Sequence, residues 1–316
     1  MTVHQATAEL SHDGVSISLA QLLKLRFYAN QLGFSSQLSV SSLRTGEQTS
    51  RLLGRGLDFA QARPYQAGDD LRHMDWRIMA RTGKPYTKEY EAARERPTYF
   101  YVDLSESMFF ATRTAYKSVT AQILTALMAF SVLQQGDSVG ALCAYENKLQ
   151  HFPLASRSNA LLPLFKFLSA TQAERATPQS LLPSALQQLR RVAGAGSLLV
   201  LISDFSELDA HSEQQIKRLF KFHQVIAIHV YDPIEKALPQ GTVFPVTDGQ
   251  AMQALDTTQT AFVQAYQQQY AAKRQRLLQL FSSANALYIE CATNDNPITL
   301  LKRHFTQRKY STAELA

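Results

Sequence analysis

Four segments of the chain, PTYFYVD at 97–103, SLLVLISD at 197–204, VIAIHVYD at 225–232 and ALYIECA at 286–292, read as strands with apolar or aromatic residues on both faces. A strand that can bury both faces belongs inside a sheet covered by helices on either side, the usual setting of a parallel sheet. Between these runs lie segments of helical periodicity. The clearest, about 117–135, carries Val119, Ile123, Leu124, Leu127, Phe130 and Leu133 at helical spacing. Others cover about 158–169, 180–192, 212–222, 258–281 and the stretch from Pro297. Such alternation predicts an α/β domain with a mostly parallel sheet. DSVGALCAY and KLQHFPL interrupt it; the Glu146-Asn147 turn between them predicts an antiparallel hairpin at a sheet edge.

The chain ahead of Thr98 has a different character. Its first ten to fifteen residues are polar, and Leu19 to Leu32 has the spacing of an amphipathic helix stopped by Gly33. Residues 35–56 are rich in Ser, Thr, Gly and Arg, a loop composition. Gly54-Arg55-Gly56 within them is no dinucleotide fingerprint, because Phe59 stands at the third glycine position and no strand precedes it. Residues 58–96 crowd charge around aromatics, with turn signals at Ala67-Gly68-Asp69-Asp70 and Gly83-Lys84-Pro85 and a short strand from Tyr86 to Tyr90. Such a block cannot bury a core of its own. Arg63, Tyr65, Asp69, Asp70, Arg72, Asp75, Trp76 and Arg77 are therefore read as an ion-paired network fastening the segment to the larger domain, or as a partner-binding surface. The division expected is 1–97 for the N-terminal helix and charged block, and 98–312 for the sheet domain.

The 316 residues, 45% of them hydrophobic, supply a sizeable core. No run approaches the roughly 20 apolar residues of a membrane span, and the opening residues lack a signal pattern, so a cytoplasmic location is expected. Cys143 and Cys291 lie in apolar strands and read as reduced core residues. The net charge of +6 invites a nucleic-acid reading. Its distribution argues against one, since the basic residues of 44–96 alternate with acids; only the C-terminal stretch, with Lys302, Arg303, Arg308 and Lys309, keeps the reading open.

Two central strands end alike, in an acid followed by hydroxyls: Asp103-Leu104-Ser105-Glu106-Ser107 and Asp204-Phe205-Ser206. In an open α/β sheet both acids would emerge at the C-terminal edge, where such folds bind ligands. Carboxylates with several hydroxyls make an oxygen-only pocket suited to a hard cation such as Mg²⁺. The bland alternative for Asp103 and the serines is a helix N-cap. No pair of histidines stands at zinc-ligand spacing, and no His or Lys neighbours Ser105 or Ser107 in sequence to act as a base.

Asp-x-Ser-x-Ser after the first strand, with an Asp after a later one, resembles the metal-ion-dependent adhesion site of von Willebrand factor type A domains. More narrowly, GRGLDFAQARPYQAGDDLRHMDWRIMARTGKPYTKEYE, VDLSESM, QQGDSVGALCAY, LLVLISDF and VYDPIEKALP, in that order, resemble the bacterial "domain of unknown function fifty-eight" family, whose members are typically encoded beside MoxR-type AAA+ ATPases. The resemblance implies a von Willebrand factor type A-like, Rossmann-like sheet and a Mg²⁺ or Mn²⁺ site formed by Asp103, Ser105, Ser107 and Asp204. The threonine that completes such a site falls on Ser180, with Thr177 as its substitute. It further implies a non-enzymatic interaction module working with a MoxR-type ATPase on a client protein. Two other functions are weighed against it. One is a phosphatase-like hydrolase with Asp103 as nucleophile, disfavoured because Ser105 stands where such folds carry a second aspartate. The other is nucleic-acid binding through the C-terminal helix.

Overall fold

The computed structural model describes residues 13–34, 57–65, 74–92, 96–172, 181–239, 241, 243–247, 252–282 and 285–305. In chain order the elements are α1 (Leu19–Lys24), α2 (Arg26–Ala29), β1 (Leu57–Pro64), α3 (Trp76–Thr82), β2 (Tyr86–Ala92), β3 (Thr98–Asp103), α4 (Lys117–Gln134), β4 (Val139–Tyr145), β5 (Lys148–Ala155), α5 (Leu162–Ala170), α6 (Leu182–Val192), β6 (Leu198–Ser203), α7 (Ala210–Leu219), β7 (Gln224–Tyr231), α8 (Pro233–Lys236), β8 (Val243–Thr247), β9 (Met252–Asp256), α9 (Thr260–Leu280), β10 (Ala286–Ala292) and α10 (Pro297–Phe305).

Six strands form one sheet in the order β5-β4-β3-β6-β7-β10. All neighbours run parallel except β5, which returns antiparallel along β4 at one edge. Glu146 and Asn147 both take positive φ (49° and 57°), as the two-residue turn of such a hairpin requires. The winding direction reverses between β3 and β6, so the topological switch point lies between these two strands.

Alternate side chains of each strand feed opposite layers. Phe100 and Val102 of β3, with Val200 and Ile202 of β6, pack against α4. Tyr99 and Tyr101, with Leu199 and Leu201, pack against α6, α7 and α9 through Leu186, Leu189, Ile216 and Leu277. Helix α4 is buried at every position but its last. A helix covered all round has no face reserved for solvent, which is why its sequence carries so little amphipathic contrast; its buried Gln122, Thr125 and Ser131 donate to the carbonyls of Leu168, Ala121 and Phe34. Its outer side is covered by the N-terminal segment: Leu22, Leu25, Leu32 and Phe34 join the same core, each contributing roughly 2 kcal/mol of burial. Phe34 meets Phe305 of α10 with ring centroids 4.7 Å apart, and Ser131 Oγ of α4 donates to the Phe34 carbonyl.

The helix expected over 19–32 is present as two pieces. A Ser18–Gln21 capping box starts α1, Leu25 separates it from α2, and Gly33 (φ 66°) closes the segment. Two hairpins were not foreseen. In the charged block β1 pairs antiparallel with β2, placing Arg63 opposite Thr87, while Asp75 caps α3 by accepting from the Arg77 and Ile78 amides. Trp76 is exposed on α3, and the Tyr65 amide donates to Pro85. Asp69, Asp70 and Arg72 lie outside the described residues. The second hairpin joins β8 and β9. Of their four strands only β2 was expected, as the short strand from Tyr86 to Tyr90; β1 and β9 lack the β-branched alternation that signals a strand, and Pro245 interrupts the pattern in β8. Among the described residues no helix is long and apolar enough to cross a membrane, and Cys143 and Cys291 are buried free thiols.

Gly140 on β4 shows how closely the sheet fits its cover. A Cβ there would lie 2.6 Å from Cε1 of Tyr99, whose hydroxyl is anchored on the Val192 carbonyl. Gly140→Ala is expected to lower unfolding free energy by about 1–3 kcal/mol in urea, and Tyr99→Leu in the same chain should recover part of the loss.

Candidate functional site

Strands β3 and β6 end side by side at the switch point, and each runs into a turn closed by the same kind of hydrogen bond. The Ser105 amide donates to Asp103 Oδ1 at 3.0 Å, and the Ser206 amide donates to Asp204 Oδ1 at 2.9 Å. Both turns follow from the short Asp side chain reaching an amide two residues on. The two aspartates are buried, whereas the serine hydroxyls stand at the mouth of the crevice. There Ser105 Oγ lies 3.4 Å from Ser107 Oγ, and Ser107 Oγ lies 3.1 Å from Ser206 Oγ. The hydroxyl of Ser203, the last residue of β6, donates to Asp103 Oδ2 at 2.5 Å and accepts from the Phe205 amide.

The two carboxylates carry different electrostatic loads. Lys117, at the start of α4, is as buried as the core and donates to Asp204 Oδ2 and to Glu235 Oε1, both at 2.7 Å. Glu235 is fixed from behind, because its other oxygen accepts from the Asp232 amide in the capping box of α8. Burial opposes the lysine charge, but Asp204 and Glu235 outweigh it and hold the ammonium pKa above the ordinary lysine value. Burial likewise opposes the Asp204 charge, but Lys117 and then Lys273 outweigh it and keep that carboxyl far below its usual range. Among the described residues no ion pair joins Asp103 to a cation. Burial, followed by repulsion from Asp204, pushes it up to about 6 despite the hydrogen bonds from Ser203 and Ser105.

The structure thus brings together Asp103, Ser105, Ser107 and Asp204 from the expected set, while Ser180 and Thr177 lie outside the described residues. It adds four groups that sequence reasoning did not assign: Lys117, Glu235, Ser203 and Ser206. The repeat Asp-x-Ser-Glu at 103–106 and 204–207 was a visible signal for Ser206. Lys117 gave none, since a lysine at the first turn of a helix ordinarily faces solvent.

Among the described residues no three His, Cys, Asp or Glu side chains converge as a metal cluster. A divalent ion here would have to be held by hydroxyls, and the arrangement fits one. Oxygens at adjacent corners of a Mg²⁺ octahedron stand about 3 Å apart, close to the serine spacings. Asp103 backs these hydroxyls with a carboxylate, and Asp204 does so with its charge met by Lys117.

The fold and crevice define an α/β domain with a hydroxyl-lined, cation-compatible site at its switch point. The family model described as "Protein of unknown function DUF58" matches residues 61–276, and the chain belongs to this family. It is 29% identical over 194 residues to "Uncharacterized protein Rv1480" of Mycobacterium tuberculosis (strain ATCC 25618 / H37Rv), covering 61% of each chain. It therefore spans about three-fifths of that relative's length. "Uncharacterized protein YeaD" of Bacillus subtilis (strain 168) is 30% identical over 121 residues, 38% of this chain and 28% of that one. Among solved structures, a conserved hypothetical protein BatB from Bacteroides thetaiotaomicron matches with a TM-score of 0.44 at 14% identity, covering 68% of this chain and all of that one. A von Willebrand factor type A protein from Catenulispora acidiphila matches with a TM-score of 0.36 at 12% identity, covering 69% and 42%.

Proposed function

We propose that the chain is a non-catalytic protein-interaction module whose docking point is the crevice between β3 and β6. Its partners in this reading are a MoxR-type AAA+ ATPase and a client protein that the pair remodels or matures. The observation that carries the reading is the pair of matched Asp-x-Ser turns, which set accessible hydroxyls in front of buried carboxylates. Ser105 and Ser107, backed by Asp103 and Asp204, would hold Mg²⁺ or Mn²⁺. A cation bound mainly by hydroxyls keeps much of its charge and supplies an attachment point for a partner's Asp or Glu.

The chain's own groups support binding over catalysis. Lys117 neutralises Asp204 and removes one of its oxygens from other partners. Ser203 and the Ser105 amide engage both Asp103 oxygens, leaving a buried carboxylate poorly placed to attack a phosphoryl group. Ser105 and Ser107 contact each other and Ser206, and among the described residues no His or Lys hydrogen-bonds either hydroxyl. Of the residues that kept the nucleic-acid reading open, Lys302 donates to Gln31 Oε1, Arg303 is exposed on α10, and Arg308 and Lys309 lie outside the described residues.

The test is co-purification of the full chain with its cognate MoxR-type ATPase in the presence of ATP and Mg²⁺. Retention of the ATPase is expected, with loss on adding EDTA and loss in a chain carrying both Ser105→Ala and Ser107→Ala. Equal retention by the double variant would remove the crevice from the interface, and no retention by the unaltered chain would remove the ATPase partnership.

A further inference from the structure

The turn after β6 contains a backbone conformation that its residue does not favour. Phe205 has φ 51°, in the left-handed region that aromatic side chains rarely adopt, at a cost on the order of 1–2 kcal/mol. Such strain persists only where the surroundings fix it. Here the Phe205 ring is buried, 5.6 Å from Phe281 and 6.3 Å from His229 between ring centroids, and its amide donates to Ser203 Oγ. The same Ser203 hydroxyl donates to Asp103. The strained residue is therefore locked to the other half of the site.

The consequence of this turn is the position of Ser206. Its amide is held by Asp204, and its hydroxyl lies 3.1 Å from that of Ser107, which is 99 positions away in the chain. An extended residue at 205 would carry the chain onward from β6 and take Ser206 off the mouth of the crevice. Ser206 is itself exposed, so nothing in the packing of the core requires a hydroxyl there.

We infer that Ser206 supplies the third hydroxyl of the cation site, the place that the family resemblance gives to Ser180 or Thr177. The inference rests on the metal-site reading above and deepens it. It makes the site a product of two Asp-x-Ser turns on adjacent strands that share the Asp-to-amide hydrogen bond but differ in backbone at the middle residue, with Ser105 and Ser206 at corresponding positions and Ser107 between them. A site built in this way needs no donor from 173–180.

Titration of Mn²⁺ alone into the metal-stripped full chain, followed by the electron paramagnetic resonance of the free ion, tests the assignment. Ser206→Ala is expected to weaken Mn²⁺ binding at least tenfold, the lower end of what even outer groups of a metal site contribute. Ser206→Thr, which keeps the hydroxyl, should bind within about threefold of the unaltered chain, and Ser180→Ala and Thr177→Ala should bind as it does. Circular dichroism melts that coincide for all four variants exclude misfolding as the cause. Unchanged binding by Ser206→Ala, with loss in Ser180→Ala or Thr177→Ala, would overturn the assignment while leaving the metal site standing. Absence of Mn²⁺ binding by the unaltered chain would overturn both.

Discussion

Lys117→Met is expected to lower the unfolding free energy by about 3–5 kcal/mol, the loss typical of removing one member of a buried ion pair. At roughly 2–4 °C per kcal/mol for a chain of a few hundred residues, the melting temperature should fall by about 10 °C. The effect is large because the lysine serves two carboxylates at once. Its removal leaves Asp204 buried and charged, and frees Glu235 from the contact that ties α8 to the head of α4. Methionine fills most of the lysine stem's volume, so the deficit would reflect charge and not a cavity. The partner variant separates the two. Combining Lys117→Met with Asp204→Asn removes the stranded charge and should return at least half of the lost stability, as replacing both members of a buried pair generally does. A loss below 1 kcal/mol in Lys117→Met, by urea unfolding followed at 222 nm, would mean that water already solvates the triad. A double variant no more stable than the single would locate the cost in packing instead.

The same residue marks where sequence reading stops. The sheet was legible because PTYFYVD, SLLVLISD and VIAIHVYD must be covered on both faces, a need that an interior strand of a helix-flanked sheet meets; ALYIECA, read in the same way, is the partly buried edge strand β10. The Asp that ends the first three of these runs, twice followed by x-Ser, was enough to put Asp103 and Asp204 at one edge once the strands were parallel and adjacent. What could not be read was which distant group reaches that edge. Lys117 comes to Asp204 over 87 positions, and Glu235 comes to Lys117 over 118. Neither separation leaves a local pattern, because a buried lysine and an exposed one look the same in sequence. The partner of the strand expected at Tyr86 to Tyr90, and the whole β8–β9 hairpin, were lost for a related reason. Segments such as DFAQARP owe their extended form to the partner strand, and local preference alone reads them as loop.

His229 gives the second large effect, and it appears on acidification. It sits on β7 opposite Ser203, almost fully buried, with Nδ1 2.7 Å from the Tyr288 hydroxyl and its ring among Phe205, Tyr231 and Tyr270. Burial first, and then the positive charge of Lys273, bring its pKa down to about 3; Lys117 and Arg274 act in the same direction, and Asp204 opposes them. The unfolded chain protonates this imidazole near pH 6.5, whereas the folded chain resists until about pH 3. The unfolded state therefore binds the extra proton between these values, and stability falls as pH falls through that window. At about 1.4 kcal/mol per pH unit, the loss attributable to His229 should reach roughly 2–3 kcal/mol by pH 4.5. Asp103 works the other way, since its folded pKa of about 6 lies above the ordinary carboxyl value and proton uptake near pH 6 favours the folded state. Comparison with His229→Phe cancels that contribution, which both proteins share. Urea unfolding from pH 7.5 to 4.5 should give a curve for the unaltered chain that drops more steeply than that of the variant, by the 2–3 kcal/mol stated. Parallel curves would mean that the folded protein takes up the proton on His229 as easily as the unfolded one, and that the aromatic cover over β7 opens far enough to hydrate an imidazolium.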